Sequence, residues 1–460
     1  MSQQGTNAGE VADHFFRYEG AKVVATLTAH LGTHRLQLAE DMVQEALLRA
    51  LQTWAYHGVP DNPAAWLTQV AKNLALNALQ RERRWNDKQD GIAAEHERWL
   101  SSPADGVNHE TFDDDTLRMM FVCFHPQLAT EAQTALALRT LCGFSPAEIG
   151  AAFLTSEAAI AKRLVRARQR IRELALPFSV PGPTELSERL TGVLHTLYLL
   201  FNEGYKASVG DLLVREDLCH EAIRLVTLLT NHPATQEPRA YALLSLMLLN
   251  AARLSARSDD AGNILRLHEQ DRSEWDSTMI QRGIVCLHHA SQGDSLSVFH
   301  LEAGIAATHC TAATASATDW PRILALYDQL FALTGSPVAA MNRAVAVARI
   351  HGAQAGLDTL DNIKHRSSLE GYHLYHAIRG TFAGELGRVA TALASFRQAE
   401  RLATLTAERN FIALRIRECE IASGEMGPND PAAEVHKTVN SSRAWERRHQ
   451  SKGAGDPEKG

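Results

Sequence analysis

Two clusters of cations carry side chains that can bind the phosphates and bases of nucleic acid. In the first, Lys162, Arg163, Arg166, Arg168, Arg170 and Arg172 occur with no acidic residue between positions 162 and 172. Residues 162, 166 and 170 recur every fourth position and share one face of a helix, while Ile160, Leu164 and Ile171 mark a face to be buried. Such a helix can lay arginines on phosphates and aim its N-terminal residues at base edges in a major groove. A bare cation run is more often a solvated face, but the residues upstream reverse those odds. Ser145-Pro146-Ala147-Glu148 has the form of a capping box: serine at the N-cap, proline at the first helical position, glutamate at the third. It starts a short helix over 145–153, a tight turn at Leu154-Thr155 follows, and Thr155 or Ser156 caps a longer helix to about residue 173. Short helix, tight turn and longer helix make a helix-turn-helix pattern.

The second cluster ends an earlier helix. Lys72, Arg81, Arg83 and Arg84 accompany Asn73 and Asn77, whose i,i+4 spacing puts both amides on one face, and Trp54, Trp66 and Trp85 are near in sequence. Cations, amides and aromatics together suit unstacked or single-stranded bases. For the tryptophans taken alone, core packing is the simpler reading.

Enzymatic chemistry finds little support. The 21 histidines include His288-His289 and a Cys123-Phe124-His125 cluster, yet there is no HExxH, no Gly-rich phosphate loop and no GxSxG elbow. Cys123 and His125 are expected to pack or cap. Cys123, Cys142, Cys219, Cys286, Cys310 and Cys419 form no CxxC pair, so they read as reduced, mostly buried thiols. No cofactor and no metal site is expected. Asp41 and Glu45, one helical turn apart, imitate a catalytic carboxylate pair, but an exposed partner-binding face explains them more economically.

The elements that must position these groups are helices, and the predicted fold class is all-α: apolar residues recur at i, i+3, i+4 and i+7 from end to end, and strand-like alternation is hard to find. Three helices over 11–31, 37–56 and 62–85 make a first domain, residues 10–89, with Gly58, Pro60 and Pro63 breaking the last two apart. Residues 90–116 read as an acidic linker, since eight acids between 90 and 115 face only Arg98. Helical patterning resumes over 117–176, and three prolines among residues 177–183 close that unit. A helical region follows over 184–423. Within it, residues 344–357 align with 379–392 at an offset of 35, pairing Gly352 with Gly387 and Ala355 with Ala390, close to the tetratricopeptide period. Residues 424–460 are polar and read as a disordered tail.

No apolar run reaches the roughly 18–20 residues that span a bilayer, and the N-terminus lacks a basic and then apolar signal region. The chain therefore reads as cytoplasmic, without membrane contact. Its net charge of −7 disfavours a uniformly basic coat for nucleic acid. The balance is −3 over residues 1–180 and −4 over the rest, so the cations are local, as suits a protein that binds DNA poorly alone and well when a partner presents it.

Three stretches carry a family resemblance. Residues 39–51 (AEDMVQEALLRAL), 65–77 (AWLTQVAKNLALN), and 145–153 (SPAEIGAAF) with 162–168 (KRLVRAR) resemble regions 2 and 4 of sigma-70 family RNA polymerase sigma factors. The two-domain form without region 3 is similar to the extracytoplasmic-function group. Residues 197–208 (LYLLFNEGYKAS), 269–276 (EQDRSEWD) and 336–348 (SPVAAMNRAVAVA) resemble the subgroup with a C-terminal tetratricopeptide-like extension. The resemblance implies that Asp41, Gln44 and Glu45 dock on the clamp of the polymerase core, formed by its beta and beta-prime subunits. It implies that Lys72, Asn73, Asn77, Arg81 and Arg84 meet the melted minus-ten element, with the 54–63 loop forming part of a pocket for a flipped base. It implies further that Lys162, Arg163 and Arg166 engage the minus-thirty-five duplex, and that the acidic linker threads a polymerase channel built for phosphates. Asn77 departs from the aspartate frequent in the family, and Ser297-Val298-Phe299-His300 departs from a Gly-Pro-Tyr-Gln-like start.

The implied function is promoter recognition and melting, with the extension regulating it through a protein or small-molecule effector. The alternative is a DNA-binding activator or scaffold that uses the helical region for protein contacts. An activator needs the helix-turn-helix but has no need of the motifs around Asp41–Glu45 and residues 66–77.

Overall fold

The computed structural model describes residues 8–85, 109–153, 155–206, 214–259, 264–364 and 366–423. Residues 90–108 of the expected linker, Leu154 of the expected turn and the expected tail lie outside the described residues. Every regular element among the described residues is helical, so the all-α expectation holds.

The first three helices, α1 (Ala8–Leu31), α2 (Leu36–His57) and α3 (Pro63–Trp85), follow the expected order. Gly58, at φ 79°, ends α2 in a conformation that L side chains rarely adopt. Asn62 then caps α3, its Oδ1 accepting from the Ala65 amide at 3.0 Å. Leu27, Ala39, Leu67 and Ala71 are fully buried where the three helices meet.

The next group is α4 (His109–Cys123), α5 (Thr130–Leu141), α6 (Pro146–Ala152) and α7 (Glu157–Leu174). Helix α4 begins at His109, earlier than the periodicity indicates, and so takes in Glu110, Asp113, Asp114 and Asp115 from the acidic stretch. Carboxylates in the first turns favour a helix there, because they face the positive end of its dipole. Asp115 is buried and accepts from Arg118 at 3.1 Å; burial raises its pKa against the hydrogen bonds of Thr26 and Arg118.

The helices α8 (Pro183–Tyr205), α9 (Glu216–Asn231), α10 (Pro238–Ala251), α11 (Ser277–Ala290) and α12 (Val298–Thr311) pack in the same compact unit as α1–α7. Arg189 of α8 donates to the Phe121 carbonyl of α4 at 2.5 Å, and Arg224 of α9 donates to the Leu141 carbonyl of α5 at 2.8 Å. Helix α10 is apolar almost all round and forms the centre of this part, with Leu243, Met247, Leu248 and Leu249 fully buried. Ser297 and His300, where the sequence departs from the family pattern, form a capping box for α12, and the His300 ring also lies 3.2 Å from the Ala290 carbonyl that ends α11.

Helices α13 (Trp320–Thr334), α14 (Pro337–His351), α15 (Ala353–Asp361), α16 (His373–Glu385), α17 (Val389–Leu402) and α18 (Thr406–Ser423) form a second compact unit. The expected 184–423 region thus falls into two parts. The 35-residue offset corresponds to two helix pairs, α14/α15 and α16/α17, turning at Gly352 (φ 90°) and Gly387 (φ 70°). A Cβ on Gly356 would lie 2.6 Å from the Ala348 Cβ, so that pair closes only with glycine there.

His309, in the last turn of α12, supplies a pH test of the first unit. Burial, then Arg253 and Arg272, push its pKa down to about 4. A folded-state value below the unfolded value of about 6.5 means that folding favours the neutral ring. The associated stability is complete above pH 6.5 and is lost as pH falls through 4, up to roughly 3 kcal/mol. His309→Gln is expected to flatten the pH 4–6.5 limb of a denaturant-midpoint profile, and an unchanged limb would assign the acid sensitivity elsewhere.

Candidate nucleic-acid interface

The helix-turn-helix is built from local hydrogen bonds. The Ser145 amide donates to Glu148 Oε2 at 2.7 Å and the Glu148 amide to Ser145 Oγ at 3.2 Å, a reciprocal cap whose serine contributes about 1 kcal/mol. Gly150 allows the next helix to approach: a Cβ there would lie 2.7 Å from the Thr155 carbonyl oxygen. Ser156 is the residue that caps α7, accepting from the Ala159 amide at 3.2 Å. Ile160, Leu164 and Ile171 are buried, as their spacing indicates.

The six cations of α7 do not act as one face. Lys162, Arg163, Arg166 and Arg170 line an open groove of about 510 Å³, whose other wall includes Leu128, Ala129 and Glu131 at the start of α5. Lys162 and Arg166 are exposed and Arg163 is half-buried. The groove is therefore cationic, open to solvent and able to accept a phosphate backbone. Arg168 points away from it, into an ion pair of 2.5 Å with Glu40 of α2; the two side chains are 12% and 5% exposed. Thr140 of α5 donates to the same carboxylate at 2.8 Å. The Thr33 hydroxyl also donates to the Leu176 carbonyl beyond α7, at 2.6 Å. The N-terminal three-helix group and the helix-turn-helix are thus fastened together through Glu40.

On α3, Asn73, Asn77 and Arg81 are exposed on a shared surface, with Gln69 donating to Asn73 at 3.1 Å. Lys72 lies elsewhere: its side chain is fully buried, and burial lowers its pKa. The side chain of Arg84 lies outside the described residues. Trp54 and Trp66 pack edge to face with centroids 5.3 Å apart, fixing the end of α2 against the start of α3.

On α2, Asp41 and Gln44 are exposed and Glu45 is partly so. Gln37 donates to Asp41 at 2.7 Å and Arg49 to Glu45 at 3.1 Å, pairs that hold the acids in a row on one surface. Gln44, Val43 and Leu47 share a groove of about 320 Å³ with Arg139 and Glu148, so the helix-turn-helix borders this surface. Sequence reasoning did not find Glu40 or Thr140.

Cys123 is fully buried, and His125 Nδ1 accepts from the Gln127 amide at 3.3 Å. His289 packs on Tyr241 with ring centroids 5.2 Å apart. Among the described residues no group of three or more His, Cys, Asp or Glu is arranged to hold a metal ion, and no helix is long and apolar enough to cross a membrane.

Comparison with known proteins agrees with this geometry. Residues 15–85 match the family described as sigma-70 region 2, and residues 118–171 match sigma-70 region 4. Residues 189–291 match a family of unknown function, DUF6596. An uncharacterized protein of Rhizobium meliloti is 38% identical over 383 residues, covering 83% of this chain and 90% of that protein. A protein of Mycobacterium tuberculosis named ECF RNA polymerase sigma factor SigG is 29% identical over 158 residues, 30% of this chain and 42% of the relative. No solved structure matches the chain.

Proposed function

The chain belongs to the sigma-70 family of RNA polymerase sigma factors, as an extracytoplasmic-function type with a C-terminal helical extension, and from that premise we propose which residues carry each step. Lys162, Arg163 and Arg166 hold the minus-thirty-five duplex in the cationic groove of α7. Asn73, Asn77, Arg81 and Arg84 receive the minus-ten strand along α3, while Lys72 supports that helix from within. Asp41, Gln44 and Glu45 dock on the beta and beta-prime clamp. The protein works where polymerase and chromosome are, in the cytoplasm, and performs no bond-making step of its own. The observation that carries this reading is the open groove lined by four cations on the second helix of the capped helix-turn-helix.

The contact through Glu40 implies a conformational step. The two promoter elements are about 25 base pairs apart, on the order of 80 Å of B-DNA. Helix α3, proposed to receive the minus-ten strand, packs on α2, and α2 touches α7 through Glu40; at 23 and 18 residues α3 and α7 are about 35 and 27 Å long. Faces on two such helices cannot straddle both elements. Regions 2 and 4 therefore separate on the promoter, and the 23 residues between α3 and α4 can reach roughly 75 Å when extended. The extension regulates this step, because Arg189 and Arg224 hold region 4 from the side of α8 and α9.

Run-off transcription tests the reading. Purified core polymerase with this protein should initiate at a cognate promoter without another sigma factor. Initiation only when a second sigma factor is added would make the protein an activator instead.

A further inference from the structure

Two segments singled out in the sequence, residues 197–208 and 269–276, carry none of the residues proposed to read a promoter, yet Tyr205 of the first converges with Arg272 and Trp275 of the second. Tyr205 ends α8, Arg253 and Arg257 follow α10, and Arg272 and Trp275 precede α11. The guanidinium of Arg257 lies 3.9 Å from the centre of the Tyr205 ring, and Arg253 donates to the Tyr205 hydroxyl at 3.0 Å. Arg253 and Arg272 lie 5.8 and 4.5 Å from the centre of the Trp275 ring. Three guanidiniums and two rings thus form one continuous chain.

Among the described residues this cluster has donors and no carboxylate paired with them. Arg168, Arg224, Arg239, Arg266 and Arg415, also partly buried, each pair with a glutamate. Arg253, Arg257 and Arg272 have only neutral acceptors among the described residues: the Tyr205 hydroxyl and the Asn250 amide for the first, the Tyr205 carbonyl for the second, and the His309 and Ala312 carbonyls for the third. Two donors, Arg253 Nε and Trp275 Nε1, are buried with no hydrogen-bond partner among the described residues, and Trp275 is only 6% exposed. His309 alongside is held neutral by burial and by Arg253 and Arg272.

Part of that charge has a structural explanation. Arg257 caps the end of α8 and Arg272 the end of α12, and each helix C-terminus offers about half a negative charge. Set against three guanidiniums, that leaves about two positive charges and orphan donors around Arg253. A phosphate group at neutral pH carries about −1.5 to −2 charges and offers three acceptor oxygens, which meets both deficits. A monocarboxylate meets neither the charge nor the number of donors as well.

We propose that the Tyr205–Arg253–Trp275 cluster in the helical extension is a binding site for a phosphate group, free or carried on a small ester, with Arg253 as its principal ligand and Arg272 beside it. Binding ties the end of α8 to α10 and α12, in a part of the chain that packs on region 4.

Isothermal titration and thermal shift of the full chain, against inorganic phosphate, glycerol phosphate and acetate at matched ionic strength, test this. Wild type should bind at least one of the two phosphates and be stabilised by it, and which of them binds tells the free ion from the ester. Arg253→Gln should weaken that binding about tenfold or more, as expected for losing hydrogen bonds to a charged group. Arg253→Lys should recover part of the affinity while lacking the fork. Circular dichroism confirms that the variants are folded, and Arg253 caps no helix here. Neither phosphate binding up to 10 mM, acetate binding as well as phosphate, or equal phosphate affinity in wild type and Arg253→Gln would each overturn the proposal.

Discussion

Thr140→Val and Glu40→Gln should both lower the melting temperature of the free protein and raise its affinity for core polymerase. The two effects have opposite signs because one carboxylate fastens region 4 to region 2 in the closed form. Glu40 accepts from Thr140 at 2.8 Å and pairs with Arg168 at 2.5 Å. Removing one member of a buried ion pair costs several kcal/mol; Arg168 keeps some solvent contact, so about 2 kcal/mol is the reasonable loss for Glu40→Gln. Valine at 140 removes one hydrogen bond to a charged acceptor, about 1.5–3 kcal/mol. If polymerase binds only the open form, a closed state weakened by 2 kcal/mol gives up to roughly thirtyfold tighter apparent binding. Fluorophores on α3 and α7 read the same change as a longer mean distance. Thr140 is the cleaner site, since it is a buried residue of α5 and not one of the residues of α2 proposed to dock on polymerase. A lower melting temperature with unchanged distance and unchanged affinity would mean that the contact is only structural.

What the sequence made legible here was local. The capping box needs only Ser145 and Glu148, and the buried face of α7 needs only Ile160, Leu164 and Ile171, so both could be read from spacing. Lys72 shows where charge misleads and periodicity does not. It occupies the same helix face as Ala75 and Leu79, at i+3 and i+7, both buried, and that spacing already puts position 72 in the core. Helix α4 begins earlier than its apolar pattern because dipole-favoured acids extend it upstream of Leu117, where that pattern starts. Glu40 was illegible for a different reason. It stands beside the exposed Asp41 in an acidic motif, and its partner Thr140 is 100 residues away. A contact that fastens two domains leaves no periodic signature in either.

The same division applies to the recognition helix, and it separates two variants that the sequence alone would treat as equivalent. Arg163→Ala combined with Arg166→Ala should reduce transcription from a cognate promoter by at least about a hundredfold, at two charge-assisted contacts of about 1.5–3 kcal/mol each. Measured as holoenzyme affinity against salt, the pair should also reduce the logarithmic slope by about 2, roughly 0.9 for each phosphate contact. Both residues line the open groove. Arg168→Gln removes the same kind of charge from the same helix, yet its guanidinium projects from a side of α7 that does not line the groove, and so the salt slope should stay within about 0.3 of wild type even after region 4 leaves region 2. Its effect should appear instead in the free protein, as the longer α3–α7 distance also expected for Thr140→Val. Lys162→Ala should resemble the groove pair at about half the slope change, because it is an exposed member of the same wall. An Arg168→Gln slope change as large as that of Arg166→Ala would place Arg168 on the phosphates in the complex. The Glu40 contact would then be a resting place for a DNA-binding side chain, released to the phosphates when region 4 leaves region 2 on the promoter.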